Sequence, residues 1–172
     1  MKLTSLILIA ALTPSQDTGA SAEPPRRGTK APASAHQHNV EKNGDKVMGF
    51  SHEKTTHHFL LRKDGGVIQV DANSAADQES RDQIQSHLPH VAKMFAAGDF
   101  SAPILVHSQT PPGTEAMRKL ATEIRYSYEV TPKGGRVVIV TSNKEGLAAV
   151  HEFLRFQIKD HATGDPLTVG TR

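Results

Sequence analysis

The sequence predicts an α+β protein, a two-layer sandwich in which one antiparallel sheet, built from two β-β-α repeats, carries helices on one face. Three observations predict it. Strand-like segments come in two pairs, each interrupted by a Gly-Gly (Gly65-Gly66 and Gly134-Gly135). Each pair is followed by a segment of helical spacing. Each of those segments ends in Gly-Asp (Gly98-Asp99 and Gly164-Asp165), so the two halves repeat one order of signals.

In the first half, residues 55–62 (TTHHFLLR) read as a strand, Asp64-Gly65-Gly66 as a turn, and residues 67–72 (VIQVDA) as the returning strand. Residues 77–97 have helical period, with Ile84, Leu88, Val91 and Phe95 on one stripe. Ser74 or Asp77 can cap the start and Gly98 the end. Pro89 lies inside and should kink or split the helix. Residues 102–107 (APILVH) are a short strand candidate, Thr110-Pro111-Pro112-Gly113 a loop, and 114–122 a short helix. The second half opens with residues 124–130 (IRYSYEV), which alternate. A turn at 132–135 and a strand over 136–141 follow. The last helix spans 144–161, with Leu147, Val150, Leu154, Ile158 and His161 on its stripe.

The N-terminus reads as a secretory signal. Lys2 precedes an apolar run over 3–12, too short to span a bilayer, and Ala20-Ser21-Ala22 supplies the small-residue cleavage motif. The expectation is cleavage after Ala22 and a periplasmic or secreted product. Residues 23–47 carry few apolar side chains and read as a disordered spacer, leaving one domain over 48–168.

With 37% apolar and 22% charged residues and a net charge of +2, the 172-residue chain has the balance of a globular protein. Its Lys and Arg are scattered, which argues against a nucleic-acid partner. The absence of cysteine excludes thiolate zinc sites, iron–sulfur clusters, covalent c-type haem and a Cys nucleophile.

Ten histidines are the most unusual feature. His57 alternates with Phe59 and Leu61 and should share their face, whereas His58 points the other way. His151 and His161 fall on the buried stripe of the last helix. His87 lies beside the stripe of the first long helix, with Met94 on the same side and His90 nearer the boundary. His36 and His38 form an H-x-H pair in the spacer. His52 and His107 lie near element ends and could be exposed. Neutral imidazole is a good ligand for copper or zinc, and a thioether adds preference for Cu(I). The leading expectation is an exported metal-binding protein, copper first, that uses His57, His87, His151 and His161, with His58, His90 and Met94 in reserve. His57, His151 and His161 could instead serve a haem or another flat cofactor through axial ligation. An envelope interaction module without cofactor, and a small His-dependent acid–base enzyme with Glu152 or Asp160 nearby, are the other readings. A structural role for any one of these histidines, or for Met48, Met94 and Met117 as packing residues, is the simplest alternative.

Several motifs fail. His52-Glu53-Lys54-Thr55-Thr56-His57 is one residue too long for H-E-x-x-H. There is no dinucleotide fingerprint, Walker loop, nucleophile elbow or EF-hand loop.

The segments Met48-Gly49-Phe50, residues 55–59 (TTHHF), Asp64-Gly65-Gly66, residues 100–103 (FSAP), Pro111-Pro112-Gly113 and residues 151–158 (HEFLRFQI) together resemble a family of small exported bacterial proteins of unknown function. The resemblance spans about residues 47 to 166 and implies export and these domain limits, with no catalytic residue attached. Such sequences sometimes carry the name aspartate carbamoyltransferase. This chain is far too short for that enzyme and lacks its Ser-Thr-Arg-Thr phosphate loop.

Overall fold

A computed structural model describes residues 35–170. The expected signal peptide over 1–22 and the first part of the expected spacer lie outside the described residues.

Nine elements follow in order. They are α1 (Ala35–Met48), β1 (Thr55–Arg62), β2 (Gly65–Ala72), α2 (Gln78–Ala96), α3 (Ser101–His107), α4 (Thr114–Lys119), β3 (Ile124–Thr131), β4 (Gly134–Thr141) and α5 (Lys144–Asp160). The strands form one antiparallel sheet in the order β1-β2-β4-β3. The two hairpins therefore meet through β2 and β4. Each turn is locked by the other hairpin: Thr141 N–H donates to Asp64 C=O at 2.9 Å, and Ala72 N–H to Lys133 C=O at 2.8 Å. This reciprocity is the structural counterpart of the sequence repeat.

Alternation sorts the side chains into two faces. His57, Phe59, Leu61, Ile68, Val70, Val137, Ile139, Tyr126 and Tyr128 share the face that α2 and α5 cover. The helices cross over: α2 packs mainly on β3 and β4, α5 mainly on β1 and β2, so each repeat's helix closes the other's hairpin. The core between them joins Phe59, Ile84, Leu88, Phe95, Val137, Ile139, Phe153 and Leu154, all nearly inaccessible. Close approach explains the glycines. A Cβ on Gly66 would stand 2.1 Å from Leu154 Cδ1, and one on Gly135 would stand 2.7 Å from the Tyr128 ring.

Four expectations change. The Gly-Gly pairs open β2 and β4, and the turns are two residues, Lys63-Asp64 and Pro132-Lys133. Residues 101–107 are helical, not a strand. Asp99 Oδ1 accepts from Ser101 N–H at 2.8 Å at the helix start, and Pro103 sits in the first turn, where no donor is needed. Pro89 does not split α2, which runs unbroken from its Asp77 cap because Ile84, Leu88, Val91, Ala92 and Phe95 anchor both halves to the sheet. Finally, residues 35–47 of the expected spacer belong to α1. That helix has a single buried side chain, Val40, and packs on α3. No described helix is long and apolar enough to cross a membrane.

Candidate histidine centre

β1 and the C-terminal end of α5 bring His57 and His161 together. Their rings stack with centroids 5.6 Å apart and planes within 10° of parallel. Phe59 lies against both, at 6.3 Å from His57 and 5.4 Å from His161. His161 stands there because it is the C-cap of α5, one turn beyond the buried Gln157 and Ile158. The third imidazole is His107, at the end of α3. Its ring meets His161 edge-on, with centroids 4.9 Å apart.

His107, whose exposure the sequence leaves open, is 3% exposed. Its Nδ1–H donates to Asp160 Oδ2 at 2.5 Å, and Nε2 lies 2.9 Å from Gln157 Oε1. Asp160 Oδ1 also accepts from Nε2–H of His36 on α1 at 2.8 Å. Burial alone would raise the Asp160 pKa, but the hydrogen bonds from His36 and His107 more than reverse this and hold the carboxyl below its usual range. The Gln157 side-chain nitrogen is buried without a partner.

His57 and His161 differ from His107. Among the described residues no hydrogen bond holds either ring. Desolvation by burial pulls His57 down to about 4, helped by the adjacent His58 and opposed by Asp45. Burial pulls His161 to about 3, with repulsion from His57 and His107 outweighing Asp160. At neutral pH both rings are uncharged and their lone pairs are not taken by protons.

Both rings line an apolar cavity of about 40 Å³, with Met48, Phe50, Phe59, Val106, His107 and Phe153 among its walls. A second cavity of about 40 Å³ lies beneath α1, where Glu41, Asp45 and His52 join Met48, Phe50, His57 and His161. Helix α1 roofs this second space. It is fastened by Val40, by Asn43 Nδ2–H to Val106 C=O at 3.3 Å, by His36 to Asp160, and by Asp45, whose carboxylate accepts from His52 N–H at 2.7 Å.

The other expected ligands lie elsewhere. His151 is ten residues before His161, which places it about 15 Å away along one helix axis. Its Nε2–H is spent on the β1–β2 turn, 2.8 Å from Arg62 C=O and 3.1 Å from Gly65 C=O. His58 is on the opposite sheet face, where Nδ1 meets Asp165 Oδ1 at 3.0 Å. Phe50 stands between His57 and His87, with ring centroids 5.9 Å from each. His87 has its pKa lowered by burial and by His90, and its Nε2 is buried without a partner. His90 is exposed beside it, and both line an open groove outside Phe50. Met94 packs against the core but does not line the cavity. Met48, read from the sequence as packing, does line it.

Among the described residues no three His, Asp or Glu side chains form a ready-made metal cluster. The sequence pattern alone does not mark His107, Gln157 and Phe50 as partners of this centre. The signal for His107 was the helical spacing of Ala102, Pro103, Val106 and His107, outweighed by the β-like residues Ile104-Leu105-Val106. Compared with family models, with curated proteins and with solved structures, the chain gives no match.

Proposed function

We propose that this is an exported metal-binding protein whose site is the cavity between His57 and His161, and that its ion is copper in the cuprous state. One observation carries the reading: two imidazoles, neutral at pH 7 and without a hydrogen bond among the described residues, line one apolar cavity together with a thioether. Proton-free imidazole nitrogen and methionine sulfur form a soft donor set, the kind that selects Cu(I). His57, His161 and Met48 are the ligands. Among the described residues no carboxylate lines the inner cavity, so a monovalent ion enters at a smaller desolvation cost than a divalent one. His107, oriented by Asp160 and Gln157, supports His161 through its ring edge.

Size favours an ion over the alternatives. A cavity of about 40 Å³ takes an ion with a water or two. Haem or an organic substrate needs a pocket of several hundred Å³. An envelope module without cofactor needs only the ring stack itself, and copper uptake separates that reading from this one.

The test is elemental analysis of the exported protein purified without a polyhistidine tag, alongside His57→Phe with His161→Phe. The expected result is about one copper per chain in the natural protein and none at this site in the double variant, which should remain folded because Phe can stack on Phe59. Metal-free protein that takes up no copper, or uptake unchanged in the folded double variant, would overturn the proposal.

A further inference from the structure

The sheet has two edges, β1 and β3, and they are equivalent in the repeat: His57 occupies the position of Tyr126, and Phe59 that of Tyr128. The two edges are treated differently. On β1 two of the outward backbone groups are occupied by the chain's own C-terminal segment. Phe59 N–H donates to Asp165 Oδ2 at 2.9 Å, and Leu61 C=O accepts from Gly170 N–H at 3.2 Å. On β3 the corresponding groups are Tyr128 N–H and Val130 C=O. Among the described residues β3 pairs with β4 alone, and nothing is bonded to the outward groups of Tyr126, Tyr128 or Val130. Val130 is 66% exposed, the highest value among the described large apolar residues. An open edge with an exposed apolar residue is a template for another strand.

We infer that the occupant is β3 of a second copy, paired antiparallel about a two-fold axis at Ser127. The register follows from backbone parity and charge. The two-residue turn makes Thr131 and Gly134 a hydrogen-bonded pair, so residues 124, 126, 128 and 130 direct their backbone groups outward. A two-fold at Ser127 sets Tyr126 opposite Tyr128 of the partner subunit, and these pairs exchange the free N–H and C=O groups. Val130 then lies opposite Ile124 of the partner subunit. On the other face Arg125 comes opposite Glu129 of the partner subunit, twice by symmetry. Both residues are exposed, and Arg136 Nε–H already donates to Glu129 Oε2 at 2.7 Å from the other side. The row across the joined sheet would read Gln69, Arg136, Glu129 and the partner's Arg125, with alternating charge. A slip of two residues in one direction sets Glu129 against Glu123, and in the other it sets Arg125 against Thr131, so neither keeps the charge pairs. The result is an eight-stranded sheet continuous through the dimer.

The chain's lack of cysteine makes a direct test available. Ser127→Cys places one thiol on the axis, opposite its own copy at the close spacing of a non-hydrogen-bonded pair. Thr56→Cys, the equivalent of Arg125 on the blocked edge, is the control. The full chain should sediment as a monomer–dimer equilibrium, and S127C should cross-link under mild oxidation much faster than T56C. Arg125→Glu and Glu129→Arg should each weaken self-association about tenfold or more, because each sets like charges opposite one another at two symmetric positions. Mixed together, the two variants should associate as a heterodimer, since each then supplies the other's missing sign. Monomer at every concentration with S127C no faster than T56C overturns the inference. So does a dimer indifferent to R125E and E129R that gains nothing on mixing.

Discussion

His57 and His161 lie near-parallel with centroids 5.6 Å apart and, among the described residues, no hydrogen bond holds either ring, while His107, against the edge of His161, has both ring nitrogens engaged. The contrast assigns roles. An imidazole with both nitrogens bonded positions its neighbours. An imidazole with neither bonded, and kept neutral by burial so that one nitrogen lone pair stays open, is available as a ligand.

Stability should fall as the solution is acidified. An unfolded imidazole protonates near 6.5, whereas His57 does so at about 4 and His161 at about 3 in the folded protein. Between these limits the unfolded chain holds protons that the folded one lacks, so stability rises with pH across the window and is fully present above about pH 6.5. His87, also lowered by burial, adds in the same sense. Thermal unfolding from about pH 7 to pH 4.5 should show Tm dropping, and His57→Phe with His161→Phe should flatten the slope. A Tm independent of pH over that range would contradict the assignment of neutral, largely desolvated rings.

His151 should matter for stability and not for metal. His151→Ala removes the donor shared by Arg62 and Gly65 C=O at the β1–β2 turn. The expected cost is about 1–2 kcal/mol in denaturant unfolding, with copper uptake unchanged.

Asp165 clasps the β1 edge. It accepts from Phe59 N–H, contacts His58 Nδ1, and accepts from the Thr163 hydroxyl at 2.7 Å. Asp165→Ala should cost about 1–3 kcal/mol and speed amide exchange at Phe59 more than at residues in β4. Equal exchange at both places would mean that the C-terminal segment does not guard this edge.

Helix α1 should control access. Only Val40 anchors it by burial, and the rest is polar fastening through His36, Asn43 and Asp45. Val40→Ser should weaken its seat by about 1–2 kcal/mol. Copper removal by a chelator should then speed up severalfold while the unfolding midpoint of the sheet core changes little. Unchanged removal kinetics would show that the ion does not pass under α1.

The fold was readable because its signals are local and repeated. The strand pairs, the stripes of α2 and α5, and the Asp77 and Gly98 boundaries depend on periods of two and 3.6 and on capping chemistry. Gly98 adopts φ 73° there, as the last turn of α2 requires. The helix α1 was hidden because one buried valine in fourteen residues gives no stripe. α3 reads as a strand because β-branched residues in a seven-residue segment outweigh a Pro in its first turn. The site was half legible. Alternation put His57 inward, and helical spacing put His161 on the buried stripe, but the same spacing holds His151 three turns away, which already excludes one site for both. His107 and Met48 come from α3 and α1, the two elements misread, so their convergence could not be seen.

The central claim, one cuprous ion between His57 and His161, is tested most directly by anaerobic titration of Cu(I) against a chromophoric chelator, with the natural chain and the His57→Phe, His161→Phe variant in parallel. The account predicts that the natural chain withdraws one equivalent from the chelator, and does so equally well at about pH 5.5 and pH 7.5 because both imidazoles are already neutral there, each with one nitrogen lone pair open. The double variant should leave that equivalent with the chelator. Equal withdrawal by both proteins, or by neither, would contradict it.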